Sequence, residues 1–545
     1  MVDLPRAVAE NLRLLCAELE GQLSNLQAYF EAPNEAIAQK VILRAGYSYN
    51  LLTRVQNAGL QALSRKRIKE NRRLVLQNSA LVARNLELIT RMARRSLEHA
   101  EKVGHKELLR PDAYPKVIKS VRKILPEILP AFDAQDSSRA VCIGQGRAPL
   151  DDLYDRLFRT YTRDMDKSKH TEDLANALLA ANEIHRIGDA LQGISEAILS
   201  VNIGHPVQFE RYFALRDILS DGDLDASNLE LEPLAETRSG SAISSVRGLA
   251  ENGDEFSAVF KDGQLDKVRE ERAGVKSWHS IYPGLAPKIL SYKKSGQSAA
   301  LLIEYLPGET FEHVLLNESD VLLDEALTAL SRTLRDVWKR TINPECAEMA
   351  SMTQLAARMP DIWRVHPDFR SRHSRIGSLE MPGFVDLVER AKDREATLIA
   401  PFSVHIHGDF NLDNVIYDAS EKQIHFIDLH RSRYMDYVQD VSVFMVSNYR
   451  LQIQDPVIRQ RVARVATEFH AMARKFAKSK GDRLFEYRLA LGLARSFATS
   501  TRFVLDKAHA NRMFERTRYL LETALACPIG KEHRLKLPIK ELFNG

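Results

Sequence analysis

The sequence predicts a multidomain chain, an all-α helical bundle followed by an α+β domain, and three observations predict it. Apolar residues recur at three- and four-residue steps through residues 1–205. Strand-like alternation begins near Leu229. Helical periodicity returns beyond Phe311, broken by one short strand–loop–strand block at Val404–Asp428. The expected division is a helical bundle over 1–205, a helix and linker over 206–228, a strand-rich part over 229–310 and a mainly helical part over 311–545. A length of 545 residues exceeds one compact domain, and roughly 100–200 residues per domain gives about two to four.

In the first part, Leu12, Leu15, Cys16, Leu19, Leu23 and Leu26 mark one helix face. Leu81, Leu86, Ile89, Met92 and Leu97 mark another, with looser spacing. Breaks are expected at Pro33–Asn34, near Arg65–Lys69, at Gly104–His105, at Pro111 and across Ala134–Pro149, the last read as the clearest loop. About six helices in two groups of three result. The third helix of each group carries a related stretch, ALVARNLELITRMARRSLE and ALLAANEIHRIGDALQGISE, as an internal duplication would leave.

One further helix is expected over Gln208–Leu219, then the acidic, turn-rich linker SDGDLDASN. The alternation in SAISSVRGL and FSAVFKDG suits a hairpin turning at Asn252–Gly253, because an Asn-Gly pair readily supplies positive φ. Residues 455–530 read as helical again.

Composition excludes several classes. Apolar residues make up 44% and charged residues 28%, which argues against a disordered or fibrous chain. Lys plus Arg is 77 against 73 for Asp plus Glu, a net charge of +4, so a nucleic-acid partner is not expected. The basic run SRKRIKENRR, residues 64–73, reads as a solvated helix end, with contact to an acidic partner or anionic lipid as the alternative. Cys16, Cys142, Cys346 and Cys527 form no metal-spaced set, which fits a reducing compartment. No apolar run suits a membrane span, and MVDLPRAVAENLRLL lacks the features of a signal peptide, so a cytoplasmic location is expected.

The chemistry is concentrated in VHIHGDFNLDNVIYDASEKQIHFIDLHRSR, residues 404–433. Phosphoryl transfer from a nucleotide needs a carboxylate to accept or orient the acceptor's hydroxyl proton. It also needs an amide oxygen and a second carboxylate to hold Mg²⁺ on the phosphate oxygens. Asp409, Asn414 on the same loop and Asp428 after the following strand can converge on one small volume.

This segment resembles the aminoglycoside phosphotransferase/choline kinase family, a branch of the two-lobed protein-kinase-like fold. HGDFNLDN, FIDL and Asp440 in QDVSVF match the family's HGDxxxxN, its metal-binding Asp segment and its later buried Asp. The resemblance implies Asp409 as catalytic base, Asn414 and Asp428 as metal ligands, Asp440 as a structural carboxylate and His407 as a brace for the loop. It also implies a phosphate-binding lysine on the third strand, held by a glutamate on the next helix. Lys261 fits the first role and Glu271 the second, with Val275 and Trp278 on the same helix side and Glu270 as the rival on another face. LLIEYLPGETF, residues 301–311, resembles the interlobe hinge, placing backbone groups of Glu304, Tyr305 and Leu306 on the adenine edge. Ser239, Gly240 and Ser241 stand where a phosphate loop is expected, with one glycine rather than a full glycine-rich motif.

The resemblance thus implies an ATP- (or GTP-) and Mg²⁺-dependent phosphotransferase acting on a hydroxyl of a small-molecule acceptor. His430, Arg431 and Arg433 directly follow Asp428, and a polycationic aminoglycoside calls for an acidic pocket. The basic rim favours an anionic or neutral, sugar-like acceptor unless the arginines pair with Asp436 and Asp440. IDLHR also resembles lipopolysaccharide core kinases, so a protein or lipopolysaccharide-type kinase stays open as an alternative. So does a nucleotide-binding regulator in phosphate signalling, with little or no transfer.

The stretch ANEIHRIGDALQGISEAILSVNIGH resembles the PhoU family, phosphate-signalling proteins built from two three-helix bundles. That family repeats an acidic i, i+4 pair as part of a metal-cluster surface. Here the positions read Glu87 and Arg91, then His185 and Asp189, so two of four acids are missing. The expectation is a packed regulatory bundle that binds a protein partner or self-associates rather than a metal site.

Overall fold

In a computed structural model of the chain, the structure describes residues 4–64, 68–166, 169–204, 206–220, 230–236, 242–249, 255–295, 298–345, 347–348, 350–370 and 374–544. The chain divides into two compact units, Met1–Ser220 and Asp221–Gly545. No helix among the described residues is long and apolar enough to cross a membrane.

The first unit is helical. Its helices are α1 (Arg6–Glu31), α2 (Glu35–Ile42), α3 (Ala45–Leu63), α4 (Glu70–Lys102), α5 (Pro115–Ala134), α6 (Ser137–Gln145), α7 (Ala148–Met165), α8 (Thr171–His185), α9 (Ile187–Ile203) and α10 (Phe209–Ser220). Leu12, Leu15, Leu19, Leu23 and Leu26 of α1 are buried, as their spacing requires. Leu81 is 45% exposed, because five residues before Leu86 is well over a right angle away around the helix.

Two expectations fail here. The segment expected as a loop between Ala134 and Pro149 contains α6, started by Asp136, whose side chain accepts the Ser138 and Arg139 N–H groups. The expected count of about six is too low, because long helices are divided at Arg44 and Arg186. Of the basic run 64–73, residues 65–67 lie outside the described residues. The PhoU-like acidic positions are consumed by ion pairs. Glu87 lies 2.7 Å from Arg91, His185 lies 2.7 Å from Asp151, and Asp189 lies 3.1 Å from Arg147.

The second unit opens with strands β1 (Glu230–Glu236), β2 (Ala242–Leu249) and β3 (Glu255–Gln264), then α11 (Leu265–Ile281), β4 (Ile289–Ser295) and β5 (Ser298–Glu304). They form an antiparallel sheet of order β1-β2-β3-β5-β4. β2 and β3 pair as the hairpin expected, with Leu249 opposite Glu255. The turn at Asn252–Gly253 lies outside the described residues.

The rest is mainly helical: β6 (Glu309–Thr310), α12 (Phe311–Asn317), α13 (Asp320–Arg340), β7 (Ala347–Glu348), α14 (Ser351–Val365), β8 (Ser374–Ile376), β9 (Leu379–Met381), α15 (Phe384–Glu395) and β10 (Ile399–Ala400). The motif block supplies β11 (Val404–Ile406), β12 (Val415–Asp418), β13 (Gln423–Phe426) and β14 (Arg433–Met435). The helices α16 (Val438–Arg450), α17 (Pro456–Ser479), α18 (Phe485–Ser500), α19 (Lys507–Ala526) and α20 (Ile539–Phe543) complete the unit. One hydrophobic core runs from Val275 and Trp278 of α11 through α13 and the motif block to α19. The helix after the third strand is therefore anchored in the helical part, which fixes the floor of the sheet against the motif.

Candidate active site

Lys261 lies on the central strand β3, between Ile243 of β2 and Leu301 of β5. A lysine there cannot reach bulk water easily and needs a counter-charge. Glu271 supplies it, with Oε1 3.0 Å from Lys261 Nζ. Burial disfavours the Lys261 ammonium, but the charges of Glu271 and Asp428 outweigh it and raise its pKa above the ordinary lysine value.

Packing fixes α11. Val275 and Trp278 are buried, and the Trp278 indole N–H donates to Ser432 Oγ at 2.8 Å. A Cβ at Gly274 would stand 2.1 Å from the Leu429 carbonyl oxygen, so the helix backbone lies directly on the chain that follows Asp428. Glu271 is thereby held beside Asp428, while Glu270 faces a separate cavity.

Asp428 adopts a left-handed backbone, φ 62°, a costly conformation for a non-glycine residue that is characteristic of functional turns. Its Oδ1 lies 3.9 Å from Lys261 Nζ and accepts from His430 Nδ1 at 3.2 Å. Burial opposes its ionisation, but the His430 hydrogen bond and the Lys261 charge win and hold its carboxyl well below the usual range. The same hydrogen bond, ahead of the opposing effect of burial, raises His430.

The Asp409 loop is built around Asp440. The His407 and Gly408 N–H groups donate to its two carboxylate oxygens at 2.7 and 2.9 Å. Gly408 has φ 87°, and a Cβ there would meet the Arg431 carbonyl oxygen at 2.3 Å, so only glycine fits. His407 Nε2 donates to the Ile427 carbonyl at 2.9 Å and its Nδ1 accepts from the Asp409 N–H at 3.3 Å. The Asp409 carboxylate accepts from Asn411 Nδ2 at 2.9 Å and pairs with Arg431 Nη1 at 3.0 Å.

Asn414 Nδ2 donates to the Asp409 carbonyl at 2.8 Å, which leaves Oδ1 as the amide atom able to ligate a cation. The Asn414 carbonyl accepts from the Ile427 N–H at 3.1 Å, so the loop and the Asp428 turn are stitched together. An amide oxygen and an ionised carboxylate suit a hard cation such as Mg²⁺. Glu271, Asp428 and His430 also bring one ligand atom each within 4.8 Å of one another. That trio suits Mg²⁺ less well, because one donor is nitrogen.

At the chain between β5 and β6, the Glu304 and Tyr305 N–H groups already donate to the Lys288 and Ser257 carbonyls, at 2.9 and 3.4 Å. The expectation that this stretch meets an adenine edge therefore narrows to the Leu306 N–H as donor. Ser239, Gly240 and Ser241 lie outside the described residues.

The sequence reading missed most of the arginines that surround Asp409. A cavity of about 890 Å³ is bordered by Asp409, Arg431 and Arg433 together with Arg358 of α14, Arg495 of α18 and Arg502 just beyond it. One signal was available: Arg495 follows the apolar run LALGLA within α18. The proposed pairing of the rim arginines with Asp436 and Asp440 is not what forms. Asp436 is taken by the fully buried Arg488 at 2.7 Å, and Asp440 by backbone N–H groups.

A strand-rich lobe carrying a lysine–glutamate pair, joined to a mainly helical lobe carrying an HGD loop and a turn-borne aspartate, defines a kinase-like phosphotransferase. Residues 269–474 match the phosphotransferase enzyme family, so the C-terminal part of the chain carries a domain of that family. The chain is 25% identical over 240 residues to the aminoglycoside 3'-phosphotransferase of Escherichia coli, a match covering 41% of this chain and 80% of that protein. Among solved structures, an aminoglycoside-3'-phosphotransferase of type VIII aligns at 17% identity and TM-score 0.34, over 54% of this chain and 98% of its own. PhoU from Pseudomonas aeruginosa aligns at 18% identity and TM-score 0.33, over 36% of this chain and 94% of its own.

Proposed function

We propose that the C-terminal unit transfers the γ-phosphoryl group of ATP (or GTP) to a hydroxyl of a small-molecule acceptor. The observation that carries this is the meeting of Lys261, Glu271 and Asp428, from a strand, a helix and a left-handed turn, within 4 Å contacts beside the Asp409 loop. Lys261, positioned by Glu271, binds the nucleotide phosphates. The Leu306 N–H reads the adenine edge beside Glu304 and Tyr305. Asn414 and Asp428 are the residues that would hold Mg²⁺, which supplies positive charge on the phosphate oxygens as the phosphoryl moves. Asp409 accepts or orients the acceptor's hydroxyl proton, and its carboxylate must leave Arg431 to do so.

A non-catalytic nucleotide sensor has no chemical need for Asp409, so the complete set weighs against the regulator reading. The helical unit is proposed as an interaction or regulatory module, since ion pairs occupy the positions where acids would gather a metal. Incubating the full chain with ATP, Mg²⁺ and a metabolite extract tests the reading. New phosphorylated products in the mass spectrum support it, whereas ATP binding with no product across the extract favours the regulator, and phosphate on the protein alone favours a protein kinase.

A further inference from the structure

The cavity beside Asp409 is bordered by more cationic than anionic side chains. Six arginines border it, Arg358, Arg431, Arg433, Arg450, Arg495 and Arg502, against two carboxylates, Glu270 and Asp409. Lys261, Glu271, Asn414, Asp428 and Glu304 do not border it, so this charge lies apart from the groups assigned to the nucleotide.

The counter-charges are few. Asp361 serves three guanidiniums, lying 3.7 Å from Arg358, 3.3 Å from Arg364 and 3.5 Å from Arg502. Burial lowers Arg502, and repulsion from Arg358 and Arg431 adds to it, so these groups crowd one another. Arg495 is the extreme case. Its side chain is 7% exposed and forms no ion pair among the described residues. One nitrogen donates to the neutral Gln439 Oε1 and Ser442 Oγ, at 2.9 and 3.1 Å, and Nε is buried with no partner at all. Burial pushes Arg495 down to about 10, and the charges of Asp409, Glu395 and Asp440 oppose that without overcoming it. A guanidinium left this way is destabilising in the free protein, and planar N–H donors in this number match an oxyanion with two or more charges.

We propose that the acceptor is a hydroxylated small molecule that already carries a phosphomonoester, which Arg358, Arg495 and Arg502 bind so that its hydroxyl faces Asp409. This rests on the phosphotransferase reading and deepens it. The same phosphate engages Arg431 as it enters, which frees the Asp409 carboxylate for the hydroxyl proton. The reaction moves the γ-phosphoryl from the nucleotide oxygen to the acceptor oxygen. The acceptor's proton passes to Asp409 and on to solvent, and the product is a bisphosphorylated compound. A class of reaction that makes monophosphorylated polyols or sugars must supply the substrate.

Binding tests this separately from turnover. Calorimetry on the full chain compares phosphorylated sugars and polyols, each with its dephosphorylated counterpart, with inorganic phosphate and an aminoglycoside alongside. At least one ester is expected to bind about tenfold or more tighter than its counterpart, and Arg495→Met and Arg358→Gln each to remove most of that advantage. ATP affinity should stay unchanged. Arg495→Met should melt no lower than the wild type, a result a merely structural arginine would not give. If it fails to fold, the half-exposed Arg358→Gln carries the test. Esters binding no tighter than their counterparts, inorganic phosphate binding as tightly as the best ester, or preferred binding of the aminoglycoside would each overturn the proposal. Loss of ATP binding with ester binding intact would instead remove the phosphotransferase reading beneath it.

Discussion

Lys261 Nζ and Glu271 Oε1 stand 3.0 Å apart, both side chains nearly buried, at the junction of β3 and α11. Removing one member leaves the other charge stranded, so Lys261→Met is expected to cost on the order of 3 kcal/mol of stability. Lys261→Met/Glu271→Leu should recover most of that loss in a thermal melt while phosphoryl transfer stays absent. A double variant that regains both stability and transfer would show that the pair only packs.

Gly274 allows α11 to rest on the Leu429 carbonyl, where a methyl group would come within 2.1 Å. Gly274→Ala gains helix propensity of about 1 kcal/mol but must push the helix off the Asp428 turn, an overpacking cost of roughly 1–3 kcal/mol. The expected outcome is a lower melting temperature and weaker nucleotide binding together. A variant more stable than the wild type, with unchanged nucleotide affinity, would contradict that contact.

His405 gives a pH dependence. Its ring lies edge-on to Trp278 with centroids 4.7 Å apart, its Nε2 is 3.0 Å from Ser277 Oγ, and its Nδ1 is buried without a partner. Burial lowers it from 6.5 to about 4. The folded pKa is below the unfolded one, so the unfolded chain takes up the proton first as pH falls. The loss of stability is therefore absent above about pH 6.5 and grows as pH falls, reaching about 3 kcal/mol near pH 4. Melting curves at pH 7.5 and 4.5 should show a smaller acid-induced drop for His405→Gln than for the wild type. Equal drops would mean that His405 is protonated in the folded state.

Much of this architecture was legible because local signals agreed with tertiary ones. HGDFNLDN and FIDL lie close in sequence, so their convergence needs only one hairpin. Lys261 and Glu271 are ten residues apart, across a strand–helix junction that periodicity marks. What stayed hidden depended on contacts between distant segments. The arginine wall joins α14, the motif block and α18, which no spacing rule connects. The α6 helix was concealed by Gly144 and Gly146, residues that weaken a helical pattern, although Asp136 was a readable cap. Around Glu304 and Tyr305, residue types could not reveal that the two N–H groups are already donated, because backbone pairing leaves no trace in side chains.

Asp409 carries the central claim, and Asp409→Asn tests it with the least ambiguity. With γ-labelled ATP, Mg²⁺ and a metabolite extract, the wild type should move label into an acid-stable phosphate ester. The variant should keep its ATP affinity and do so about two to four orders of magnitude more slowly, the contribution of a positioned base. Equal rates of ester formation by the two proteins would contradict the account.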